Sequence, residues 1–195
     1  MRGAAGGAAA AGGVAYQARV AAWAAARILA EERAAGVWGF PSTSLVGLHC
    51  ETGDGVDDLL LVTSAAGQLF VQAKRQIDLG QNPGSELASY VAQCVRQHRV
   101  GRMAMGSSGA RAGGSLDWSR DRLVLVTSPG ASAGVRVHLR AVLERGRELP
   151  VADSGDALAT NQDERRARDV VLAHLRRAWE QEHGNAPPCD SCVRS

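Results

Sequence analysis

The chain has 195 residues, 45% of them hydrophobic and 22% charged, with a formal net charge of +2. This length and composition indicate one well-buried globular domain with terminal extensions and exclude a fibrous design. The net charge is too small to identify a nucleic-acid-binding protein by itself, so any basic footprint must be local. No stretch reaches the roughly 18 apolar residues that a membrane span requires. The N-terminal Ala/Gly run lacks the apolar core of a secretory signal, so we expect a cytoplasmic protein.

Hydrophobic periodicity predicts four helices and four strands in the order α-β-β-β-α-β-α-α. The predicted helices lie at 14–35, 85–98, 135–146 and 163–182. The predicted strands lie at 46–50, 57–63, 68–74 and 122–127. This order predicts the α/β fold class, with a mixed central sheet flanked by helices. We expect a disordered low-complexity segment at 1–13, one domain at 14–183, and a flexible tail or the start of a linker to a further domain at 184–195.

The four cysteines do not form the framework of a secreted, disulfide-rich protein. Cys50 and Cys94 lie within apolar patterns, and we interpret both as buried thiols. Cys189 and Cys192 form a lone C-x-x-C after two prolines. Because no second pair and no nearby histidine accompanies them, zinc binding is the less favoured interpretation.

The predicted second and third strands form a hairpin with polar residues at its open end. Acidic residues precede the second strand, at Glu51, Asp54, Asp57 and Asp58. On the third strand, the period of two places Gln72 and Lys74 on one face. Carboxylates at the start of one strand and a Gln-x-Lys on its neighbour indicate a metal site that handles phosphate. The alternative is a solvated strand edge, since polar strand ends are common.

The length of the hairpin loop decides which aspartate reaches this face. A three-residue loop at 65–67, with Gly67 left-handed, pairs Ser64 with Gln68 and places Asp58 opposite Lys74. A loop of two or four residues brings Asp57 there instead. Glycine at the third loop position favours Asp58.

The residue types at this end of the hairpin match the ligands of a hard divalent cation. Mg²⁺, or Mn²⁺ in its place, takes one or two carboxylates, with waters and substrate phosphate completing the shell. Asp58 offers the carboxylate, Gln72 its amide oxygen and Ala73 its backbone carbonyl. Lys74 is a compact charge that can orient or help deprotonate a water and offset charge on the phosphate. The metal would lower the pKa of that water.

Asp57/Asp58, a turn and Gln72-Ala73-Lys74 together resemble the Asp…(Glu/Gln)-x-Lys signature of the PD-(D/E)XK, or restriction-endonuclease-like, nuclease superfamily. The opening of the first helix at Gly12-Gly13 and Tyr16-Gln17, and the strand at 121–127, are similar to a narrower group. That group comprises the double-stranded DNA nuclease domains of bacterial anti-phage effectors of the CBASS and STAND types. The resemblance covers residues 12–149.

This resemblance implies a nuclease domain with an αβββαβ core, in which Asp58 or Asp57 binds metal, Gln72 is the variant second ligand and Lys74 is catalytic. Many relatives carry an acidic residue on the first helix, where Gln17 stands here, so Glu51 is the candidate to compensate. The implied substrate is duplex DNA. The implied context is a homo-oligomer with a fused or partner sensor or NTPase domain. The Gln17 departure motivates an alternative, a catalytically inactive DNA-binding or oligomerisation module.

Arginines follow the third strand and cluster around the second predicted helix. The segment 96–122 holds six arginines against two aspartates, which indicates a phosphate-contacting rim or, equally, a solvated helix end. The predicted DNA contacts are Arg75, Arg96, Arg99 and Arg102.

Overall fold

The structure, a computed structural model, describes residues 4–33, 43–50, 58–100, 116–148 and 155–184. Its strands are β1 Leu45–Cys50, β2 Leu59–Thr63, β3 Gln68–Lys74 and β4 Arg122–Thr127. Its α-helices are α1 Ala4–Leu29, α2 Glu86–Val100, α3 Arg140–Glu148 and α4 Gln162–His183. A π-helical segment, Gly134–Leu139, leads directly into α3, and a 3-10 turn, Gly155–Leu158, precedes α4. The predicted element order and the α/β class are confirmed. Among the described helices, none is long and apolar enough to cross a bilayer.

The chain divides into two compact units. The first comprises Met1–Arg75 and Gln97–Val126 and holds α1 with nearly all of the sheet. The second comprises Gln76–Arg96 and Thr127–Ser195 and holds α3 and α4.

The four strands form one mixed sheet in the order β1-β2-β3-β4. β1 pairs with β2 and β2 pairs with β3, both antiparallel. At the β3–β4 junction, the backbone N–H of Gln68 donates to Asp121 Oδ1 over 2.9 Å, so these two strands begin at the same edge of the sheet. The prediction of a mixed sheet flanked by helices is therefore confirmed.

α1 packs against β1 and β3 and covers one face of the sheet. The core of this layer consists of Val20, Ala24, Leu45, Leu59, Leu61, Leu69, Val71, Ala73 and Val124. The alternate positions Leu60, Phe70 and Gln72 point to the other face and are buried as well. A strand buried on both faces explains the nearly continuous apolar run of β2. Gln72 is a buried polar residue within this otherwise apolar part of β3.

α1 differs from its predicted bounds at both ends. It begins at Ala4, inside the segment for which we expect disorder, because alanine has the highest helix propensity of any residue. It ends at Leu29, and Glu31 then adopts a left-handed conformation with φ of 51°. That conformation commonly ends a helix. The end of the predicted helix, at residue 35, lies outside the described residues.

The β2–β3 loop has the predicted three residues but lies one residue earlier in the chain. Thr63 N donates to Gly67 O over 3.0 Å, so the loop is 64–66, and Ala66 is the left-handed residue with φ of 59°. The prediction that Gly67 is left-handed is therefore wrong. A Cβ at Gly67 would overlap the backbone carbonyl oxygen of Arg120. The glycine is required by this close approach of two chain segments.

The cysteine interpretations have different outcomes. Cys50 is exposed at the end of β1, so its interpretation as a buried thiol is wrong. Cys94 lies half-buried on α2, where burial raises the pKa of its thiol to about 12. The thiol therefore stays protonated and unreactive at neutral pH. Cys189 and Cys192 lie outside the described residues.

In the second unit, α4 begins with a reciprocal cap. Asn161 Oδ1 accepts from Glu164 N over 2.9 Å, and the Glu164 carboxylate accepts from Thr160 N over 2.7 Å. The same carboxylate accepts from the Thr160 hydroxyl over 2.8 Å and from Arg145 over 3.1 Å. These hydrogen bonds lower the pKa of Glu164 from 4.5 to about 2.

Candidate functional site

The register of the β2–β3 hairpin places Asp58 opposite Gln72. Leu59 pairs with Val71, and Asp58 immediately precedes Leu59, so its partner across the hairpin is one residue further along β3. The prediction that Asp58 lies opposite Lys74 is therefore wrong, because the loop begins one residue earlier than predicted. Gln72 and Lys74 still share a face of the sheet with Asp58. Directly opposite residues of two paired strands point to the same face, and so do residues two apart on one strand.

Hydrogen bonds join Asp58 to Gln72, Ala73 and Gln17, all three of them residues of the predicted site. Asp58 Oδ2 accepts hydrogen bonds from Gln72 Nε2 over 2.6 Å and from Ala73 N over 2.7 Å. Gln17, on α1, donates from Nε2 to the backbone carbonyl of Asp58 over 3.1 Å. The side chain on the first helix therefore positions the backbone of the aspartate, and β3 orients its carboxylate.

Gln72 carries a buried acceptor without a partner. The residue is 3% exposed, and its Oε1 accepts no hydrogen bond within the described part of the chain. A buried carbonyl left in this state costs about 1–3 kcal/mol, so it needs a physical explanation. A water or a cation beside Asp58 would satisfy it.

The donor set fits a hard cation that keeps most of its waters. Asp58 supplies one carboxylate and Gln72 one unpartnered amide oxygen, which is the lightly charged set that Mg²⁺ accepts when phosphate oxygens complete its shell. Among the described residues, no group of three or more His, Cys, Asp and Glu side chains gathers around a common point. A site of the zinc type is therefore not built from these residues.

Lys74 stands apart in the composition of the whole chain. It is the only lysine among the 22 Lys and Arg residues, and it lies half-buried at the end of β3. Arginine and lysine are not interchangeable where a compact amine is needed. That the chain has a single lysine was visible in the sequence but was not used to predict the site.

The remaining predicted site residues are not brought together by the described structure. Asp57, Glu51 and Arg102 lie outside the described residues. Arg75 and Arg99 are exposed, and Arg96 is half-buried on α2. Their role as DNA contacts remains a prediction.

The chain matches no protein-family model, no curated protein and no solved structure in the three comparisons made. A functional assignment therefore depends on the residues at the open end of the hairpin and on their geometry.

Proposed function

We propose that the chain is a Mg²⁺- or Mn²⁺-dependent endonuclease domain of the PD-(D/E)XK type. It hydrolyses phosphodiester bonds of double-stranded DNA as the effector arm of a bacterial anti-phage or restriction protein. The observation that carries the proposal is the hydrogen-bonded pair Asp58–Gln72, in which the buried Gln72 Oε1 has no partner among the described residues. The single lysine of the chain follows two residues further along β3. The element order α1-β1-β2-β3-α2-β4 is that of the core which the resemblance implies.

Each residue of the site has a separate task in this proposal. Asp58 and Gln72 would hold the cation, which would supply Lewis acidity and lower the pKa of a bound water. The backbone N–H of Ala73 fixes the carboxylate of Asp58, so the ligand is oriented before metal arrives. Lys74 orients the attacking water and offsets the charge that develops on the phosphate.

A cleavage assay with a charge-matched control tests the proposal. Supercoiled plasmid is incubated with the protein and Mg²⁺ or Mn²⁺, and nicked and linear products are measured. We expect Lys74→Ala to reduce the rate at least about a hundredfold, since loss of one electrostatic group in a preorganised site has this effect. Arg140→Ala removes the same charge from an exposed helix position that pairs only within α3, and should leave the rate unchanged. Equal rates for Lys74→Ala and the wild type would remove the lysine from the mechanism.

A second function is favoured by the way in which Asp58 is held. Its Oδ2 already accepts two protein hydrogen bonds, and an amide, Gln17, stands where many relatives carry an acid. These contacts are also what a catalytically inactive DNA-binding or oligomerisation module of the same fold would retain. Salt-dependent duplex binding, without cleavage under Mg²⁺ or Mn²⁺ and without metal binding, would favour this module.

A further inference from the structure

A cavity of about 740 Å³ lies beside α4 in the second unit. Three guanidinium groups line it, those of Arg165, Arg166 and Arg177, together with Gln81 and His174. The proposed function uses none of these residues.

One of the two carboxylates in the wall of the cavity is held by a basic group that does not line it. Asp169 Oδ1 lies 2.9 Å from the guanidinium of Arg168. The charge of Arg168 offsets that of Asp169, so the three arginines of the cavity outweigh its carboxylates.

The arginines at the start of α4 are exposed and uncompensated. Within the described residues, the side chains of Arg165 and Arg166 make no hydrogen bond and no ion pair. Both guanidinium groups line the cavity and are available to an anion that enters it.

His174 contacts the third arginine. The ring is 3% exposed, and its Nε2 lies 2.7 Å from the carbonyl oxygen of Gly80, which can only accept, so Nε2 carries a hydrogen. Arg177 NH1 lies 3.5 Å from Nδ1 of the same ring. The buried imidazole and the Arg177 guanidinium therefore meet in the wall of the cavity, which both residues line.

We propose that this cavity binds a ligand that carries more than one phosphate group. Arg166 and Arg177 are roughly three helical turns apart on α4, so one small anion cannot contact both ends of the row. Guanidinium groups bind phosphate oxygens in pairs, and a cavity of this volume is within the range of nucleotide-sized ligands. A nucleotide polyphosphate and the backbone of a nucleic acid share this chemistry.

Fluorescence anisotropy in EDTA tests the proposal, because no metal-dependent cleavage takes place there. The probes are a labelled ATP analogue and a labelled short DNA duplex, titrated separately with the protein. The cavity variant is Arg165→Ala/Arg166→Ala, and the control is Arg140→Ala/Arg147→Ala, which removes the same two charges from α3. Both arginines of the cavity variant are exposed, so its Tm should equal that of the wild type. Arg166→Glu is the second variant if the double variant folds poorly.

We expect the wild type to bind at least one probe, the cavity variant to bind it at least about tenfold more weakly, and the control to stay within about twofold. The probe that binds identifies the source of the phosphates. Equal weakening in the cavity variant and the control would overturn the proposal, as would the absence of binding to both probes.

Discussion

An aspartate carboxylate lies at each end of the β2–β3 hairpin, and the two carboxylates accept hydrogen bonds in different patterns. At the turn, Asp121 is 0% exposed and accepts one backbone N–H on each oxygen, both over 2.9 Å. At the open end, Asp58 is half-buried, and its two cross-strand hydrogen bonds converge on the single oxygen Oδ2. Beside it, Gln72 keeps a buried oxygen that accepts no hydrogen bond from the residues that the structure describes.

This difference separates a structural carboxylate from a candidate ligand. One Asp121 oxygen accepts from Gln68 at the start of β3, and the other accepts from Asp117 in the turn before β4. The Asp58 end instead leaves an unsatisfied acceptor in the core, which a purely structural arrangement would avoid. The same Asp→Asn substitution at the two positions should therefore have opposite consequences.

Asp58→Asn should abolish cleavage and leave the fold intact. An asparagine oxygen can still accept from Gln72 and Ala73, because both bonds end on one atom, but the charge that holds a cation is lost. We expect a rate at least about a hundredfold lower and an unfolding free energy within about 1 kcal/mol of the wild type. Plasmid cleavage and urea denaturation measure the two effects. A large loss of stability would show that Asp58, like Asp121, serves to hold the fold together.

Asp121→Asn should destabilise the protein by about 2–3 kcal/mol. One asparagine atom becomes a donor that faces a backbone N–H, so a buried hydrogen bond is replaced by two opposed donors. Urea denaturation measures the loss. Cleavage per folded molecule should be unchanged, and a loss of cleavage in the folded variant would contradict the distinction between the two ends.

Ala66→Gly should stabilise the hairpin by about 1 kcal/mol. Ala66 occupies the left-handed region at φ of 59°, where a Cβ is unfavourable and glycine is not. Thermal unfolding checks the direction. Gly67→Ala is the matched comparison, since its new methyl group would meet the Arg120 carbonyl, and this variant should be less stable. A gain in stability from Gly67→Ala would contradict the close approach of Gly67 to the Arg120 carbonyl.

Glu164 in the second unit should behave as a structural carboxylate like Asp121. Its pKa is lowered from 4.5 to about 2 by bonds from Thr160 and Arg145. The stability that it contributes is present above pH 4.5 and is lost as the pH falls toward 2. Thermal unfolding over this range should show a steeper loss of Tm in the wild type than in Glu164→Gln. Parallel curves would contradict the assignment.

Local signals predicted most of the elements. β3 and β4 have their predicted bounds, and Ser85 caps α2 by accepting from Ala88 N over 3.1 Å. The loop position was not predictable, because the need for glycine at position 67 comes from Arg120, a segment distant in sequence. Asp58 nevertheless lies on the predicted face of the sheet, because a loop of the predicted length preserves which face each residue occupies.

The site likewise contains features that the local sequence predicts and features that depend on contacts between distant segments. The sharing of one face by Gln72 and Lys74 follows from the period of the strand. The use of Gln17 to hold the backbone of Asp58 does not, because it depends on how α1 packs on the sheet.

The most direct test of the central claim is an exchange of two adjacent basic residues. Lys74→Arg and Arg75→Lys both keep the charge of the chain, and their plasmid cleavage rates are compared with that of the wild type under Mg²⁺. If Lys74 acts as a compact amine beside Asp58 and Gln72, Lys74→Arg loses at least about a hundredfold in rate and Arg75→Lys changes it only a few-fold. Full activity in Lys74→Arg, or a wild type that cleaves no DNA, would contradict the account.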